Sequence, residues 1–272
     1  MIDRRAFLVG AAAAVVTACS RGGAAQQTPT SAAATDTSAS TRPGSSAATT
    51  AGRPATTAVA TTIRAPGAAS VFVSSAAAGR NQVALTFHTD GDLRIDQRVL
   101  DGLAGRAQVT CFVVGSWLEA NPTWARKLLD AGHELANHTY THPTFASLSR
   151  SGMATEITRC RDLLVKLTGS GGRFFRPSGT EDGLARPSAQ ILEEAGTAGY
   201  DYVLGWNVDP FDYQDPGGTA VRTRVLDGVK PGSIVSLHFG HSGTADAISA
   251  IVDGLDSKGL KAVTTSALLG VA

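Results

Sequence analysis

Two histidines, His138 and His142, stand four residues apart and are the most suggestive pair of chemical groups in the sequence. On a helical turn or in a tight loop, this spacing brings both imidazoles to one side, which suits Zn²⁺ or another divalent metal. The pair follows a predicted strand at 133–136, and carboxylates follow another predicted strand. The sequence therefore predicts a metal site in which a carboxylate oxygen joins the two imidazoles.

Polar residues follow several other predicted strands in the same way. Histidine, aspartate and arginine recur just past the strand ends, and most of the histidines lie in these stretches. In parallel-sheet folds, functional sites gather in the loops that follow the strands. The stretches are His88-Thr89-Asp90-Gly91-Asp92, Asn137 to His142, Arg176-Pro177-Ser178-Gly179, Asp209 to Tyr213 and His238-Phe239-Gly240-His241.

The elements that must position these residues alternate between strand and helix. Continuous apolar strands that alternate with helices indicate an α/β protein with a parallel sheet or an α/β barrel. The chain has no GxxxxGK[ST], no GxGxxG after a strand and no GxSxG, so phosphate-cradling loops and nucleophile elbows lack support. The predicted strands lie at 83–87, 108–114, 133–136, 173–175, 202–204, 233–237 and 261–263, and the predicted helices at 95–103, 123–131, 153–167, 185–195, 220–228, 245–256 and 266–269.

The first residues are typical of an export signal. A basic start containing Arg4-Arg5 resembles the twin-arginine pattern, and an apolar run at 6–16 follows that is too short to span a bilayer. Val16-Thr17-Ala18-Cys19 then resembles a bacterial lipobox. We predict a signal peptide at 1–18 and acyl chains on Cys19 that anchor the exported protein at the outer face of the bacterial cell membrane. An ordinary signal peptide with an incidental cysteine is the alternative.

The composition separates a linker from one folded domain. Residues 20–70 are rich in Ala, Thr, Ser, Pro and Gly and contain no aromatic residue, Lys or Glu, so they cannot bury enough apolar area to offset ordering entropy. We predict a disordered tether at 19–70 and a folded domain at 71–272. The formal net charge of +1 gives no electrostatic reason to expect a nucleic-acid partner.

Four short motifs occur in the predicted domain, and together they resemble those of the polysaccharide deacetylases of the NodB-homology family (carbohydrate esterase family 4). Residues 136–142 match the HxxxH motif, and Arg176 to Gly179 match the arginine motif of the groove wall. Asp209 to Tyr213 match the DxxDW motif, with Tyr213 where Trp is usual. Ser236-Leu237-His238 match the LxH motif, with Ser236 where Leu is usual. The resemblance covers residues 83–269. It implies a distorted (β/α) barrel and a divalent metal, Zn²⁺ first with Co²⁺ or Mn²⁺ possible, on an Asp-His-His set.

The first motif departs from the family pattern. The family usually has Thr-Phe-Asp-Asp-Gly, in which the first Asp is the general base and the second is a metal ligand. Here the run is Thr86-Phe87-His88-Thr89-Asp90-Gly91-Asp92. Without a gap His88 takes the base position and Thr89 the ligand position, whereas one inserted residue makes Asp90 the ligand and Thr89 the base.

Neither alignment restores both carboxylates. We favour Asp90 as the metal ligand, with Asp92 close behind. His88 could be the base, because the ordinary imidazole pKa of about 6.5 suits proton abstraction near neutrality. A third imidazole ligand or a hydrogen-bonding partner behind the site are the other roles open to it.

The resemblance implies a metal-dependent N-deacetylase that acts on N-acetylated polysaccharide or peptidoglycan. His238 would be the acid that protonates the leaving amine, Asp212 would orient it, and Arg176 would orient the carboxylate on the base side. Tyr213 and Pro177 would contact the sugar. The altered first motif favours an alternative, a catalytically inactive glycan-binding lipoprotein on the same fold, and hydrolysis of another acyl ester or amide is a third possibility.

The sequence does not decide whether the two cysteines of the predicted domain form a disulfide. Cys111 lies in a predicted strand and Cys160 in a predicted helix. An exported protein permits a disulfide between them, and buried free thiols are equally consistent with these positions.

Overall fold

The computed structural model describes residue 65 and residues 67–271 of the 272-residue chain. The predicted signal peptide, the lipidation site at Cys19 and nearly all of the predicted tether lie outside these residues. Ser70 is buried and its backbone N–H donates to Leu192 O, so the folded part begins no later than Ser70. No helix in the described stretch is long and apolar enough to cross a membrane.

Strands and helices alternate along most of the described chain. The strands are β1 (Val71–Val73), β2 (Gln82–Thr89), β3 (Thr110–Val113), β4 (Glu134–Asn137), β5 (Phe174–Phe175), β6 (Tyr202–Leu204), β7 (Ile234–His238) and β8 (Lys261–Val263). The helices are α1 (Leu93–Leu103), α2 (Gly115–Ala120), α3 (Thr123–Asp130), α4 (Arg150–Thr168), α5 (Ala189–Thr197), α6 (Gly218–Gly228), α7 (Ser242–Ser257) and α8 (Thr265–Leu269). Short 3₁₀ turns lie at Phe145–Ser147 and Asp212–Gln214.

All strand pairs of the eight-stranded sheet are parallel, in the order β1-β6-β5-β4-β3-β2-β7, and β8 pairs with the start of β2. Isolated bridges join Ser75 to Ser233 and Val208 to Val235, so the two ends of this order meet beside β7. The sheet therefore curls into the distorted (β/α) barrel that the family resemblance implies. Because all strands run the same way, their carboxyl ends share one rim.

Alternate side chains of strand β2 pack on the two opposite faces of the sheet. Val83, Leu85 and Phe87 pack in the core between the sheet and the helices, whereas Ala84 belongs to the inner cluster with Phe112, Phe174 and Trp206. Because side chains alternate along a strand, His88 shares the inner face with Ala84. The strand thereby delivers this histidine to the barrel mouth.

The structure confirms the predicted alternation of elements and adds two short ones. The sequence missed β1, which has three residues, and α2, which has six. The predicted helix at 185–195 begins later, at Ala189, where the Ser188 hydroxyl accepts from the Ile191 N–H as an N-cap. The strand at 173–175 shortens to Phe174–Phe175.

Candidate active site

A cavity of about 810 Å³ opens at the carboxyl ends of the strands. The loops after β2, β4, β5, β6 and β7 all contribute to it, so residues far apart in sequence converge there. Seven of the predicted site residues line this cavity: His88, Asp90, His138, His142, Pro177, Tyr213 and His238. Two more, Arg176 and Asp212, are fully buried and hydrogen-bond to the lining residues His88 and His238.

The His138–His142 pair fits a divalent metal. Their Nε2 atoms lie 3.1 Å apart. His138 Nδ1 lies 2.9 Å from Arg176 O, and since a carbonyl only accepts, Nδ1 carries the proton and Nε2 keeps its lone pair. Two nitrogens bound tetrahedrally to one metal at about 2 Å stand about 3.3 Å apart. The pair thus presents two of the nitrogen donors that such a metal needs.

The loop that carries this pair is held by a residue that the sequence analysis missed. Thr139 and His142 have φ values of 67° and 57°, in the left-handed region that costs non-glycine residues energy. The carboxylate of Glu156, on α4, accepts from the backbone N–H groups of Tyr140 and Thr141. No motif marks Glu156, because its role depends on α4 packing beneath the loop.

A third ligand from the first motif does not join the pair. In the described part of the chain, no group of three or more His, Cys, Asp or Glu side chains is placed to hold a metal ion. Asp90 lines the cavity, whereas Asp92 caps α1 and accepts from the backbone N–H and guanidinium of Arg94. The buried Thr89 hydroxyl donates to Phe112 O, away from the cavity lining. Asp90 is therefore the first-motif carboxylate that reaches the site.

The strand β7 ends in a histidine backed by a buried carboxylate. His238 Nδ1 donates to Asp212 Oδ1 at 2.8 Å, and the His238 backbone N–H donates to Asp212 Oδ2 at 2.8 Å. The Thr244 hydroxyl and the Tyr213 backbone N–H also donate to this carboxylate. These four donors hold Asp212 in place, and Asp212 in turn fixes which His238 nitrogen carries the proton.

His88 lies beside His238 but is backed by a cation. The two residues are register partners on β2 and β7, and His88 Nδ1 lies 2.8 Å from His238 Nε2. Arg176 Nη1 lies 3.0 Å from His88 Nε2, and the ring stacks on His138 with centroids 4.1 Å apart. Burial, then the neighbouring His138, lowers the pKa of His88 well below its usual value. A base needs a lone pair that faces the substrate, and the Nε2 nitrogen of His88 faces the buried guanidinium of Arg176 instead.

Arg176 is fully buried, and it contacts an imidazole where a carboxylate was expected. Its guanidinium lies over the rings of Phe112 and Trp206 and donates to Leu204 O and Gly205 O as well as to His88. Burial lowers its pKa to about 9. The predicted orientation of a base-side carboxylate is therefore replaced by orientation of an imidazole.

The cavity has an aromatic lip. Tyr213 is 42% exposed and its ring lies 5.3 Å from the His238 ring, at a tilt of 67°. Phe211, 41% exposed and with φ 54°, lies 6.2 Å from Tyr213. Pro177 lines the same cavity. Flat apolar faces held open to solvent beside a cavity suit a ligand with an apolar face of its own.

The two cysteines are free and buried. Cys160 lies with its thiol 3.5 Å from Val113 O, and burial raises the pKa of both thiols. The structure therefore selects buried thiols from the two possibilities that the sequence left open.

Comparison with known proteins places the chain in a family. The family model for polysaccharide deacetylase matches residues 75–203. Two peptidoglycan-N-acetylglucosamine deacetylases of Bacillus cereus align with the chain, one at 30% identity over 67% of the chain and the other at 32% over 69%. The chain spans 66% of the length of the first relative and 87% of the second.

Solved structures agree with this result. The Bc1960 peptidoglycan N-acetylglucosamine deacetylase superposes with a TM-score of 0.68 at 27% identity, covering 75% of this chain and 94% of that chain. A wild-type family 4 pseudoenzyme of Bacillus anthracis superposes with a TM-score of 0.66 at 24% identity, covering 76% and 70%. Both comparisons support the barrel fold.

Proposed function

Because the chain belongs to the polysaccharide deacetylase family, we propose that it hydrolyses the acetamide group of an N-acetylated cell-envelope or extracellular glycan. The observation that carries the proposal is the His238–Asp212 pair, which faces the cavity next to the convergent His138 and His142 nitrogens. An acid–base imidazole beside a pair of metal-binding imidazoles is the equipment that amide hydrolysis needs.

The chain's own residues supply orientation and proton transfer. The leaving amine must gain a proton as its bond to the carbonyl carbon breaks, and His238 Nε2 is the nitrogen that can deliver it. Asp212 stabilises the imidazolium that forms and keeps the ring in its orientation. Both are placed at the rim by β7 and by the loop after β6, so neither depends on the altered first motif.

We further propose that His138 and His142 hold a divalent metal, Zn²⁺ first, with Asp90 as the first-motif carboxylate available in the same cavity. Such a metal would polarise the amide carbonyl and acidify water. His142→Ala should lose most of the metal content of the washed full chain. His241→Ala is the matched control, because His241 also lines the cavity but pairs with Asp215. Equal metal in wild type and His142→Ala would refute the metal site.

For the substrate, we propose peptidoglycan or a related N-acetylated glycan. The cavity is open to solvent at the Phe211–Tyr213 lip, and sugar rings present apolar faces that stack on such side chains. Tyr213 and Pro177 are the residues we expect to touch the sugar. The relatives named above act on peptidoglycan N-acetylglucosamine by name, which supports this substrate class.

Acetate release tests the activity. The full chain, supplemented with Zn²⁺, Co²⁺ or Mn²⁺, is assayed on peptidoglycan and on chitooligosaccharides. His238→Ala should lower the rate by about 10² to 10⁴-fold, the usual contribution of a general acid. His241→Ala should keep it. A wild-type protein that releases no acetate from any of these glycans contradicts the proposal.

The alternative is a glycan-binding protein without turnover, and one observation favours it. In the ungapped alignment, the position of the family's general base holds His88, and its Nε2 nitrogen faces the buried Arg176 guanidinium. In that case the protein binds the same glycans, Tyr213→Ala weakens binding, and no acetate appears.

Export and lipid anchoring through Cys19 complete the proposal. They place the deacetylase domain beside the cell envelope, where such glycans lie. Cys19→Ala should move the protein from the membrane fraction to the soluble fraction, because the variant lacks the cysteine that would carry the anchoring acyl chains. Unchanged fractionation with membranes would show that another feature holds it.

A further inference from the structure

The direction of the hydrogen bonds around His88 can be assigned from the chemistry of its neighbours. A guanidinium has only donors, so Arg176 Nη1 donates and His88 Nε2 accepts. A ring nitrogen that accepts a hydrogen bond carries no proton, so the contact with Arg176 identifies His88 as a neutral imidazole. A neutral imidazole whose Nε2 accepts carries its proton on Nδ1. That proton points at His238 Nε2, 2.8 Å away.

The hydrogen bond between His238 and Asp212 leads to the same assignment. Asp212 receives four donors, which identifies it as an ionised acceptor, and His238 Nδ1 is one of these donors. A neutral His238 with its proton on Nδ1 has its lone pair on Nε2, where the His88 N–H arrives. The bonds therefore run in one direction, from Arg176 through His88 and His238 to Asp212, with a buried charge at each end.

We propose that His88 is a positioning residue which donates from Nδ1 to His238, and that it is not the general base. The inference rests on the proposed deacetylase function for its catalytic meaning, while the bond directions stand on geometry alone. Stacking on His138 and the edge-on contact with Trp206 oppose a flip of the ring that would turn the Nε2 lone pair away from Arg176 and toward the cavity.

These bond directions fix the proton balance at His238. His238 meets the substrate without a proton on Nε2, so the proton that it gives to the leaving amine must first be taken from the attacking water. A water O–H bond breaks and an Nε2–H bond forms as the water oxygen adds to the carbonyl carbon. The Nε2–H bond then breaks as the C–N bond breaks and the amine takes the proton, giving a free amine and acetic acid, which ionises to acetate in water. Water reaches Nε2 by replacing the His88 N–H, an exchange of one hydrogen bond for another.

The decisive variant is His88→Asn. The asparagine amide nitrogen occupies the same δ position as His88 Nδ1 and can donate to His238 Nε2, but an amide cannot accept a proton from water. If His88 is a positioning donor, His88→Asn keeps acetate release within about tenfold of wild type, the range of one hydrogen bond. If His88 is the base, the same change lowers the rate by about 10² to 10⁴-fold and overturns the proposal.

A spectroscopic measurement separates failure of this inference from failure of the proposed function. We expect the ¹⁵N NMR spectrum of the histidine-labelled full chain, recorded at neutral pH, to show both His88 and His238 neutral with the proton on Nδ1. In the His88→Asn variant, His238 should keep this form. His88→Asp, an acceptor of matched shape, should move the His238 signals to the doubly protonated form. A wild-type His238 or His88 protonated on Nε2 would overturn the inference, whether or not the protein releases acetate.

Discussion

The ends of β2 and β7 offer a comparison inside one site. The two strands are neighbours, His88 and His238 are register partners, and each imidazole is fixed from behind by a fully buried charged residue. On β7 that residue is the Asp212 carboxylate, and on β2 it is the Arg176 guanidinium. Two histidines in matching positions therefore play opposite parts in the hydrogen bond between them: His88 Nδ1 donates and His238 Nε2 accepts.

The difference teaches that residue type alone does not assign a catalytic role. A histidine next to a carboxylate is stabilised when it gains a proton, whereas one next to a guanidinium is destabilised by it. In this site, the sign of the charge behind the ring decides what each histidine can do. Removing either of those buried charges should therefore change the site in a different way.

The largest effect is expected from Asp212→Asn. The asparagine amide must present an N–H group to at least one of the donors that now face the carboxylate, which favours the wrong tautomer of His238. Acetate release should fall by on the order of 10³-fold, because the imidazolium formed during the reaction loses its counter-charge. Asp215→Asn, at the exposed carboxylate paired with His241, is the control and should retain the rate. A rate for Asp212→Asn near that of wild type would remove His238 from the reaction.

In contrast to Asp212→Asn, Arg176→Met should lower the free energy of unfolding more than it lowers the rate of acetate release. The change leaves Leu204 O, Gly205 O and His88 Nε2 without their buried donor. The free energy of unfolding, measured in urea, should fall by about 3 kcal/mol, since each unpaired buried acceptor costs roughly 1 kcal/mol or more. Arg173→Met, at a partly exposed arginine that pairs with Asp201, should cost less. An unchanged free energy for Arg176→Met would show that water or neighbouring groups satisfy these acceptors.

Much of this site could be predicted from sequence because its motifs lie at strand ends. The His138–His142 spacing, the His238 position and Asp212 all come together as expected, since parallel strands bring their following loops to one rim. The alternation of apolar strands and helices predicted a parallel α/β fold, and the family resemblance implied the distorted barrel.

The remaining features depend on packing that leaves no local signal. Glu156 holds the His138–His142 loop from a helix elsewhere in the chain, and Thr244 supports Asp212 from α7. The role of His88 depends on the direction of two hydrogen bonds, which the sequence cannot reveal. For the same reason, the sequence left both Asp90 and Asp92 open as ligands, whereas in the structure Asp90 lines the cavity and Asp92 caps α1.

The smallest effect is expected at Asp96, which ties the two strand ends together from behind. The loops after β2 and β7 touch at Gly91 and Gly240, where a Cβ on Gly91 would lie 2.5 Å from Gly240 Cα. Asp96 is fully buried on α1, and its Oδ1 accepts from the Gly240 N–H at 2.7 Å. Its Oδ2 finds no partner among the described residues. Burial, with the nearby charges of Asp90 and Asp92, raises its pKa to about 7.

This raised pKa makes the stability depend on pH in a definite direction. Between the ordinary aspartate pKa of about 4 and the folded value, the folded state holds the proton more tightly than the unfolded chain, so stability falls as the pH rises. Asp96→Asn keeps an acceptor for Gly240 N–H and removes the charge. It should match wild type at pH 4 and exceed it at pH 8 by roughly 2 kcal/mol, a value discounted for solvent screening. Urea unfolding at both pH values measures this, with Asp101→Asn, at an exposed residue of α1, as the control that gains nothing at pH 8. An Asp96→Asn variant less stable than wild type at pH 8 would mean that the charged carboxylate, not the neutral acid, holds the two loops together.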